Sequence, residues 1–310
     1  TRVEHADWAL AHIHHVLLRL LRGVDCDVDG ESHDMLTATL MALGAACLHA
    51  GWNLAVKRNT DSGLALWGQF LIAMFIAGGA LVGWWLFFDG PSFAWKYTLL
   101  SGITHLPYSM MLVRAYNTGD FSVSYPIARG GGAVGAAILG VLLLDDVLSP
   151  LTVAGIVIAG VGFFLLSRGS LRQMQFALAT ALIIGIYTAI DATGVRESAD
   201  PAAYALSIFV TTGLSVSAWT FATRRGEALA ALRTQWKQFG FAAIGTLGSY
   251  CLVLLAMRQA PVGYVAVLRE SSVLIAAFAG WKLLGEVDHR RRIGGAAVVL
   301  LGLVALVAGG

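Results

Sequence analysis

Arg129 and Arg269 have the clearest capacity for chemistry, because each lies inside a long apolar stretch of the sequence. A charge in the middle of a membrane helix costs at least about 2.5–3.5 kcal/mol, so such a side chain normally faces a cavity or a partner. The planar donor forks of guanidinium groups suit a carboxylate or a phosphate on a substrate. The two residues therefore predict an anion-binding site, although each arginine could instead be neutralised within the protein and fix the packing of its helix.

Glu270 directly follows Arg269 and is the only acid well inside a span that the sequence predicts. Side chains of adjacent helical residues point about 100° apart, so these two are not expected to face one small pocket squarely. A carboxyl group inside the membrane is a natural site for coupling transport to a proton gradient. A salt bridge from Glu270 to Arg129 is the alternative, and the sequence favours it slightly.

Further polar residues recur at helical spacing in the same stretches, which places them beside one another on a helix face. His49 and Asn53 lie four residues apart, and Tyr125 lies four residues before Arg129. Polar groups in a membrane also form hydrogen bonds between helices without touching a substrate. The side chains predicted to line a substrate pathway, besides the two arginines, are His49, Asn53, His105, Tyr108 and Tyr125.

The elements that carry these residues are predicted to be membrane-spanning helices. The 310 residues are 57% hydrophobic and only 13% charged, against about 45–50% and about 25% in a soluble domain. About 17–25 apolar residues cross a bilayer as a helix, and the apolar runs lack the alternation of a β-barrel strand. Ten spans are predicted, at residues 36–56, 64–88, 94–113, 121–144, 151–167, 174–190, 202–222, 239–257, 262–284 and 293–308.

An internal repeat relates the two halves of the chain. Residues 129–167 align with residues 269–307 without a gap, and ten of the 39 aligned pairs are identical. The matched arginines carry the most weight in a chain this rich in Ala, Gly and Leu. Each half, at residues 35–168 and 169–310, holds five spans, and this odd number predicts that the halves cross the membrane in opposite directions.

Basic residues in the connections predict the orientation. The loops after the odd-numbered spans hold 13 Lys and Arg residues, and the opposite side of the membrane holds six. Lys and Arg gather on the cytoplasmic side. Both termini are therefore predicted to be extracytoplasmic, in an integral protein of the cell (inner) membrane.

Residues 1–34 differ from the rest of the chain, since they are rich in acidic residues and hold five of the eight histidines. A signal peptide begins with basic residues and has an uninterrupted apolar core. Residues 1–34 have neither, so no signal peptide is predicted there. Leu and Ile side chains share one helical face and His and Arg the opposite face, which is typical of an amphipathic helix lying on a membrane surface. His12, His14 and His15 do not share one face, so no metal site is expected.

The chain carries HAGWNLAVKR at residues 49–58, THLPYSMMLVRAYNTGDFSVSYPIARG at residues 104–130 and RESSVLIAAFAGWKLLGEV at residues 269–287. These segments resemble the EamA-type permeases of the drug/metabolite transporter superfamily. The resemblance covers residues 36–308 and implies an all-α polytopic membrane protein, with ten transmembrane helices in two inverted five-helix repeats. It also implies a central cavity that opens alternately to either side. Residues 1–34, the N-terminal amphipathic segment, have no counterpart in it.

The expected function is secondary transport of a small polar metabolite of the amino acid or organic anion class. Proton-coupled efflux of cationic drugs is one alternative, but the first span lacks the glutamate that small multidrug relatives use. An intramembrane enzyme is the other, but the HExxH and GxSxG motifs are absent. No cofactor is expected, and the net charge of +2 argues against a nucleic-acid partner. The expected partners are a small-molecule substrate and the lipid bilayer, and the oligomeric state stays open, with a homodimer among the candidates.

Overall fold

The computed structural model describes residues 31–56, 61–88, 90–118, 121–165, 171–272 and 289–309. Within these ranges the chain forms nine α-helices and no β-strand, which confirms the predicted all-α class for this part of the protein. The helices are α1 (Glu31–Val56), α2 (Ser62–Phe87), α3 (Trp95–Asn117), α4 (Phe121–Leu143), α5 (Pro150–Leu165), α6 (Leu171–Glu197), α7 (Pro201–Gln259), α8 (Val262–Arg269) and α9 (His289–Ala308). The amphipathic segment predicted at residues 1–34 lies outside the described residues, except for the first four residues of α1.

The apolar helices make this an integral membrane protein. Four stretches are long and apolar enough to cross a bilayer, namely Asp34–Trp52, Ser62–Phe87, Arg172–Glu197 and Pro201–Gln259. Large apolar side chains such as Phe75, Leu142 and Ile244 lie on the outside of the bundle. Exposure of this apolar surface to water would be unfavourable, whereas contact with lipid tails is not.

Three helices depart most from the predicted spans. The predicted end at residue 190 is wrong for α6, which extends to Glu197 because its apolar run continues on both sides of Asp191. The predicted loop at residues 223–238 is helical, and α7 continues through it. A turn at Glu270 interrupts the ninth predicted span, so that α8 ends at Arg269. A helix can continue through polar residues when their side chains point out of the bundle or form hydrogen bonds and ion pairs inside it. Hydropathy does not detect such contacts, so it places the helix end too early.

A break at Arg224 divides α7 into two helical parts, at residues 201–223 and 225–259. The Arg224 backbone is non-helical, with φ −142° and ψ 33°. Its guanidinium group forms ion pairs with Glu227 and with Asp61, the N-cap residue of α2. The Asp61 pair ties the start of α2 to the bend in α7. The hydrogen bond from Arg224 holds the pKa of Asp61 below its usual range.

Asp61→Asn is expected to lower stability at neutral pH and to leave it unchanged in strong acid. Because the folded pKa lies below the unfolded value of about 3.9, the stabilisation is complete above that value and is lost as the pH falls through the folded pKa. The Asp61 side chain is more than a third exposed, so the effect is expected to be small. Thermal unfolding of both forms in detergent over a pH series measures it. A stability difference that is the same at every pH would contradict this assignment.

Glycines bring α5 and α9 into backbone contact. A Cβ atom on Gly155 would lie 2.5 Å from the backbone nitrogen of Leu306 and 2.7 Å from the carbonyl oxygen of Gly302. A Cβ atom on Gly302 would overlap the backbone of Ala159. Small residues allow membrane helices to approach this closely, and van der Waals packing then stabilises the pair.

Gly302→Ala is expected to destabilise the protein by about 1–3 kcal/mol, the usual cost of overpacking a close contact. Neither backbone can yield without shifting its helix. Gly294→Ala on the same helix is the matched control, because no atom of the described chain lies within 4 Å of its Cβ position and alanine favours a helix. Thermal stability in detergent should rank Gly294→Ala at or above the unsubstituted protein and Gly302→Ala below it. Equal stability of the two variants would rule out the contact.

Hydrogen bonds join several helix ends at one face of the bundle. Arg196, near the end of α6, forms an ion pair with Asp146 at 2.8 Å and donates to the carbonyl oxygens of Met257 and Ala260. Asp146 also accepts a hydrogen bond from the backbone N–H of Val262, at 2.7 Å. This cluster places the end of α4 beside the end of α6, the end of α7 and the start of α8.

Candidate functional site

A cavity lies between the helices. Its described walls come from seven helices, α1 to α4 and α6 to α8. Five of the residues predicted from the sequence line it, namely His49, His105, Tyr108, Arg129 and Arg269. The cavity is therefore built from both halves of the chain, as a substrate site between two repeats would be.

Arg129 and Arg269 meet at Glu270 beside this cavity. Arg129 donates from Nε to Oε2 of Glu270 at 3.1 Å, and its Nη2 lies 2.9 Å from Oε1. Arg269 donates from Nε and Nη2 to the same Oε1, at 3.3 and 3.2 Å. The three side chains are 5%, 3% and 0% exposed, in the order Arg129, Arg269, Glu270. Two guanidinium groups share one carboxylate, so this cluster carries one net positive charge.

The turn after α8 explains why neighbours in sequence come together. The backbone N–H groups of Glu270 and Ser271 donate to the carbonyl oxygens of Val267 and Leu268, at 3.0 and 3.1 Å. Such i to i−3 bonds form a tight turn in place of a continued α-helix. Arg269 lines the cavity and Glu270 does not, and the turn still leaves the two side chains in contact, at 3.2 Å.

Glycines on α4 fix the position from which Arg129 reaches the cavity. A Cβ atom on Gly132 would lie 2.5 Å from Cγ2 of Ile184 on α6, and one on Gly130 would overlap the ring of Phe163 on α5. Only hydrogen fits at either position, so α4 lies directly against both neighbours. The arginine is thus held by a rigid helix, as precise ligand binding requires.

Aromatic rings form much of the remaining wall. The ring centroid of His105 lies 4.3 Å from that of Tyr187, 5.9 Å from that of Tyr108 and 6.2 Å from that of Tyr250. Within the same helix, Nδ1 of His105 lies 2.9 Å from the carbonyl oxygen of Ser101, which holds the imidazole ring in place. Flat rings around a few polar groups are the usual composition of a small-molecule site.

Four polar atoms in the cavity wall have no hydrogen-bond partner within the described part of the chain. They are Nε1 of Trp52, Oε1 of Gln69 and Oγ1 of Thr212 and Thr246. A buried polar atom without a partner costs about 1–3 kcal/mol. Such atoms converging on one cavity indicate that a ligand or water completes their hydrogen bonding.

The remaining predicted residues have different outcomes. The side chains of Asn53 and Tyr125 lie outside the described residues, and the prediction that they contact a substrate stays a prediction. Glu270 lies behind the two arginines and not in the cavity wall. Gln69, Thr212 and Thr246 also line the cavity, although no sequence pattern indicated them. The amide of Gln69 inside LALWGQFLIAMF is a signal that could have found the first, whereas threonines are too common in membrane helices to stand out.

Asp191 is a second acid within the bundle, so the expectation that Glu270 is alone is wrong. It lies one residue beyond the predicted end of the sixth span, inside α6. Its carboxyl group is fully buried and accepts hydrogen bonds from the hydroxyls of Tyr204, at 3.2 Å, and Tyr250, at 2.5 Å. Tyr250 also lines the cavity, together with Tyr187, one turn before Asp191 on α6.

Fold and site together define a polytopic helical membrane protein with a central charged cavity. Residues 171–308 match the model of the EamA-like transporter family, which confirms for this part of the chain the resemblance that the motifs indicated. A solved structure described only as "Crystal structure of protein" is similar to 87% of this chain and 96% of its own chain, with a TM-score of 0.70 and 17% sequence identity. At that identity the similarity establishes the fold alone. No curated protein matches the sequence significantly.

Proposed function

We propose that this protein is a secondary transporter of the EamA type that moves a small metabolite carrying a carboxylate, of the amino acid or organic anion class. The observation that carries this proposal is the net positive charge that Arg129, Arg269 and Glu270 leave beside the cavity. A net charge inside a membrane protein is costly. Binding a carboxylate would neutralise it, and two arginine forks offer the geometry for doing so.

The uncharged polar groups of the wall suit a zwitterion or a hydroxylated acid. Nε1 of Trp52 is a donor that could meet a carboxylate oxygen, whereas Oε1 of Gln69 is an acceptor that could meet an amino or hydroxyl group. Neither atom needs to give up an existing hydrogen bond with another described residue. Cationic drugs, by contrast, would meet net positive charge in this cavity, so their efflux is the less favoured function.

Alternating access between two inverted five-span halves is supported by the packing. The contact between Asp146 and Val262 places the end of α4 beside the start of α8, so these two helices run in opposite directions. Their arginines occupy equivalent repeat positions and meet between them. We therefore assign the ten-span inverted architecture to this chain, with the termini on the extracytoplasmic side of the cell (inner) membrane, as the loop charges indicate.

Two contacts between the halves, equivalent under the repeat, support the same assignment. In the first contact, α3 of the first half packs on α6 of the second half through the rings of His105 and Tyr187. In the second, the later part of α7 packs on α1, where Ser249 donates to the carbonyl oxygen of Ala45 at 2.9 Å. An exchange of the two halves converts the third and sixth predicted spans into the eighth and first. A symmetric pair of gates around one central site would follow from such an arrangement.

A ligand screen followed by a flux measurement tests the proposed function. The purified protein in detergent would be heated with L-amino acids, organic acids, nucleosides and ethidium in separate samples, since a bound ligand raises the unfolding temperature. Any stabilising compound would then be supplied, radiolabelled, to proteoliposomes. We expect saturable uptake of a carboxylate-bearing compound. Stabilisation by ethidium alone, or chemical conversion of the compound without transport, would contradict the proposal.

A further inference from the structure

The buried carboxyl group of Asp191 takes no part in the anion site described above. It lies six residues before the end of α6, which is about 9 Å along the helix axis, and it is fully buried. Within the described ranges, no Lys, Arg or His side chain forms an ion pair with it. Acidic side chains inside a membrane are rare because burying them is costly, and proton transfer is a common function of those that occur.

Packing around Asp191 holds two tyrosine hydroxyl groups within hydrogen-bond distance of its carboxyl group. Gly194 lies one turn later on α6, where any Cβ atom would overlap the ring and hydroxyl of Tyr204. Because Gly194 has no side chain, Tyr204, in the first part of α7, can cross α6 and reach the carboxyl group of Asp191. Tyr250 reaches it from the other part of α7. Both donors are thus held by packing on helices that belong to the same half of the chain.

Two hydrogen-bonded routes connect this carboxyl group to the cavity. Tyr250 both lines the cavity and donates directly to Oδ2 of Asp191. Ser101 on α3 also interacts with the carboxyl group, and its hydroxyl oxygen lies 3.3 Å from Nδ1 of His105, another cavity residue. Asp191 is therefore reachable from the cavity although it does not line it.

The other titratable and charged groups on the packed helices do not neutralise it. They are His105 on α3, Arg129 on α4, Tyr187 on α6 itself, Tyr204 and Tyr250 on α7, and Arg269 on α8. Tyr187 interacts electrostatically with Asp191 and with both arginines. Glu270 is already engaged by those arginines, so it would have to break ion pairs in order to take up a proton. Asp191 can gain or lose a proton without breaking any ion pair with a described residue.

We propose that Asp191 is the proton-binding residue that couples transport to the proton gradient, and that Tyr250 transmits its protonation state to the substrate site. This inference rests on the proposed transport function. In the ionised state, the Tyr250 hydroxyl donates to Oδ2. A hydronium ion in the cavity gives one proton to the oxygen of Tyr250 while the hydrogen of that hydroxyl passes to Oδ2, and a water molecule is left in the cavity.

Protonation then reverses one hydrogen bond. The new carboxyl O–H donates to the oxygen of Tyr250, and the hydrogen that the tyrosine received from the hydronium ion points toward the cavity. There it can donate to the carboxylate of a substrate. Proton and substrate consequently favour each other's binding by the same factor, so the two move in the same direction.

Infrared difference spectroscopy on the lipid-reconstituted protein tests the proton site without any substrate. A pH step would reveal the C=O stretch of a carboxyl group that takes up a proton. We expect Asp191→Asn to remove one such band and the exposed acid variant Glu197→Gln to retain it. Tyr250→Phe should keep the band but shift its titration midpoint by about one to two pH units, because one hydrogen bond to a charged group is lost. A full set of bands in Asp191→Asn, or loss of the band in Glu197→Gln, overturns the assignment.

A flux measurement tests the coupling separately. Proteoliposomes loaded with the pH dye pyranine would receive an equimolar mixture of L-amino acids, malate and citrate. We expect proton influx with the unsubstituted protein and with Glu197→Gln, and its loss with Asp191→Asn while the labelled compound still exchanges across the membrane. Undiminished proton influx in Asp191→Asn overturns the coupling while transport stands. Absence of any transport by the unsubstituted protein overturns the proposed function and the coupling with it, whatever the infrared band assigns to Asp191.

Discussion

Arg269→Gln is expected to weaken the apparent affinity for a carboxylate substrate about 10- to 100-fold, the equivalent of one lost charge-assisted hydrogen bond. The substitution removes the net positive charge of the cavity and leaves Arg129 and Glu270 as a neutral pair with two close contacts. Arg269 reaches only one carboxylate oxygen, at 3.2–3.3 Å, so its loss disturbs the protein less. We therefore expect a large effect on transport and a small one on folding.

Concentration-dependent uptake into proteoliposomes, with the compound that the ligand screen identifies, measures this effect. Arg114→Gln is the matched control, because that arginine is exposed at the end of α3. Arg129→Gln is the second comparison. It also leaves one arginine with one glutamate, but it removes the arginine that makes two close contacts with Glu270. Unchanged uptake by Arg269→Gln, with unchanged protein level, would remove Arg269 from the substrate site.

Glu270→Gln is expected to be the most destabilising of the substitutions in the cluster, at about 3–5 kcal/mol, the usual cost of removing one partner from a buried ion pair. It leaves two buried guanidinium groups of like charge that had shared one carboxylate. Their desolvation is no longer offset, and they repel each other. Little folded protein is expected to reach the membrane, so flux should be lost as well.

The double variant Arg129→Gln, Glu270→Gln separates charge from shape. It restores a single net positive charge, so its thermal stability in detergent is expected to lie between that of Glu270→Gln and that of the unsubstituted protein. Non-additive effects of this kind are the signature of residues in contact. Additive losses, with the double variant less stable than either single variant, would show that the two side chains do not interact energetically.

Much of the helical framework could be predicted from the sequence, because apolar length is a local property. The bounds of α4 and α5 differ from the predicted spans by no more than two residues at either end. The errors occur where polar residues are tolerated inside a helix. Asp191 appeared to end a span because hydropathy counts its charge and cannot count the two tyrosine hydroxyls that bind it.

The candidate site could be predicted only in part, for a related reason. Arg129 and Arg269 stood out because charges are rare in apolar runs, and His105 and Tyr108 because they lie near one another on one helix. Gln69 and Thr246 lie on helices far apart in sequence, and each is unremarkable alone. Their shared property, a polar atom without a partner beside the same cavity, exists only after packing.

The sequence by itself determined that this chain lies in a bilayer and that two arginines must be kept away from lipid within it. The cost of placing a charge in a bilayer applies to each charged residue separately, so it can be read from the sequence. Only the tertiary structure decided which groups shelter them. Glu270 lies 141 residues from Arg129, and their contact requires the turn after α8 together with the glycine-packed position of α4. Contacts over such distances depend on how whole helices pack, a property that no local pattern of residues contains.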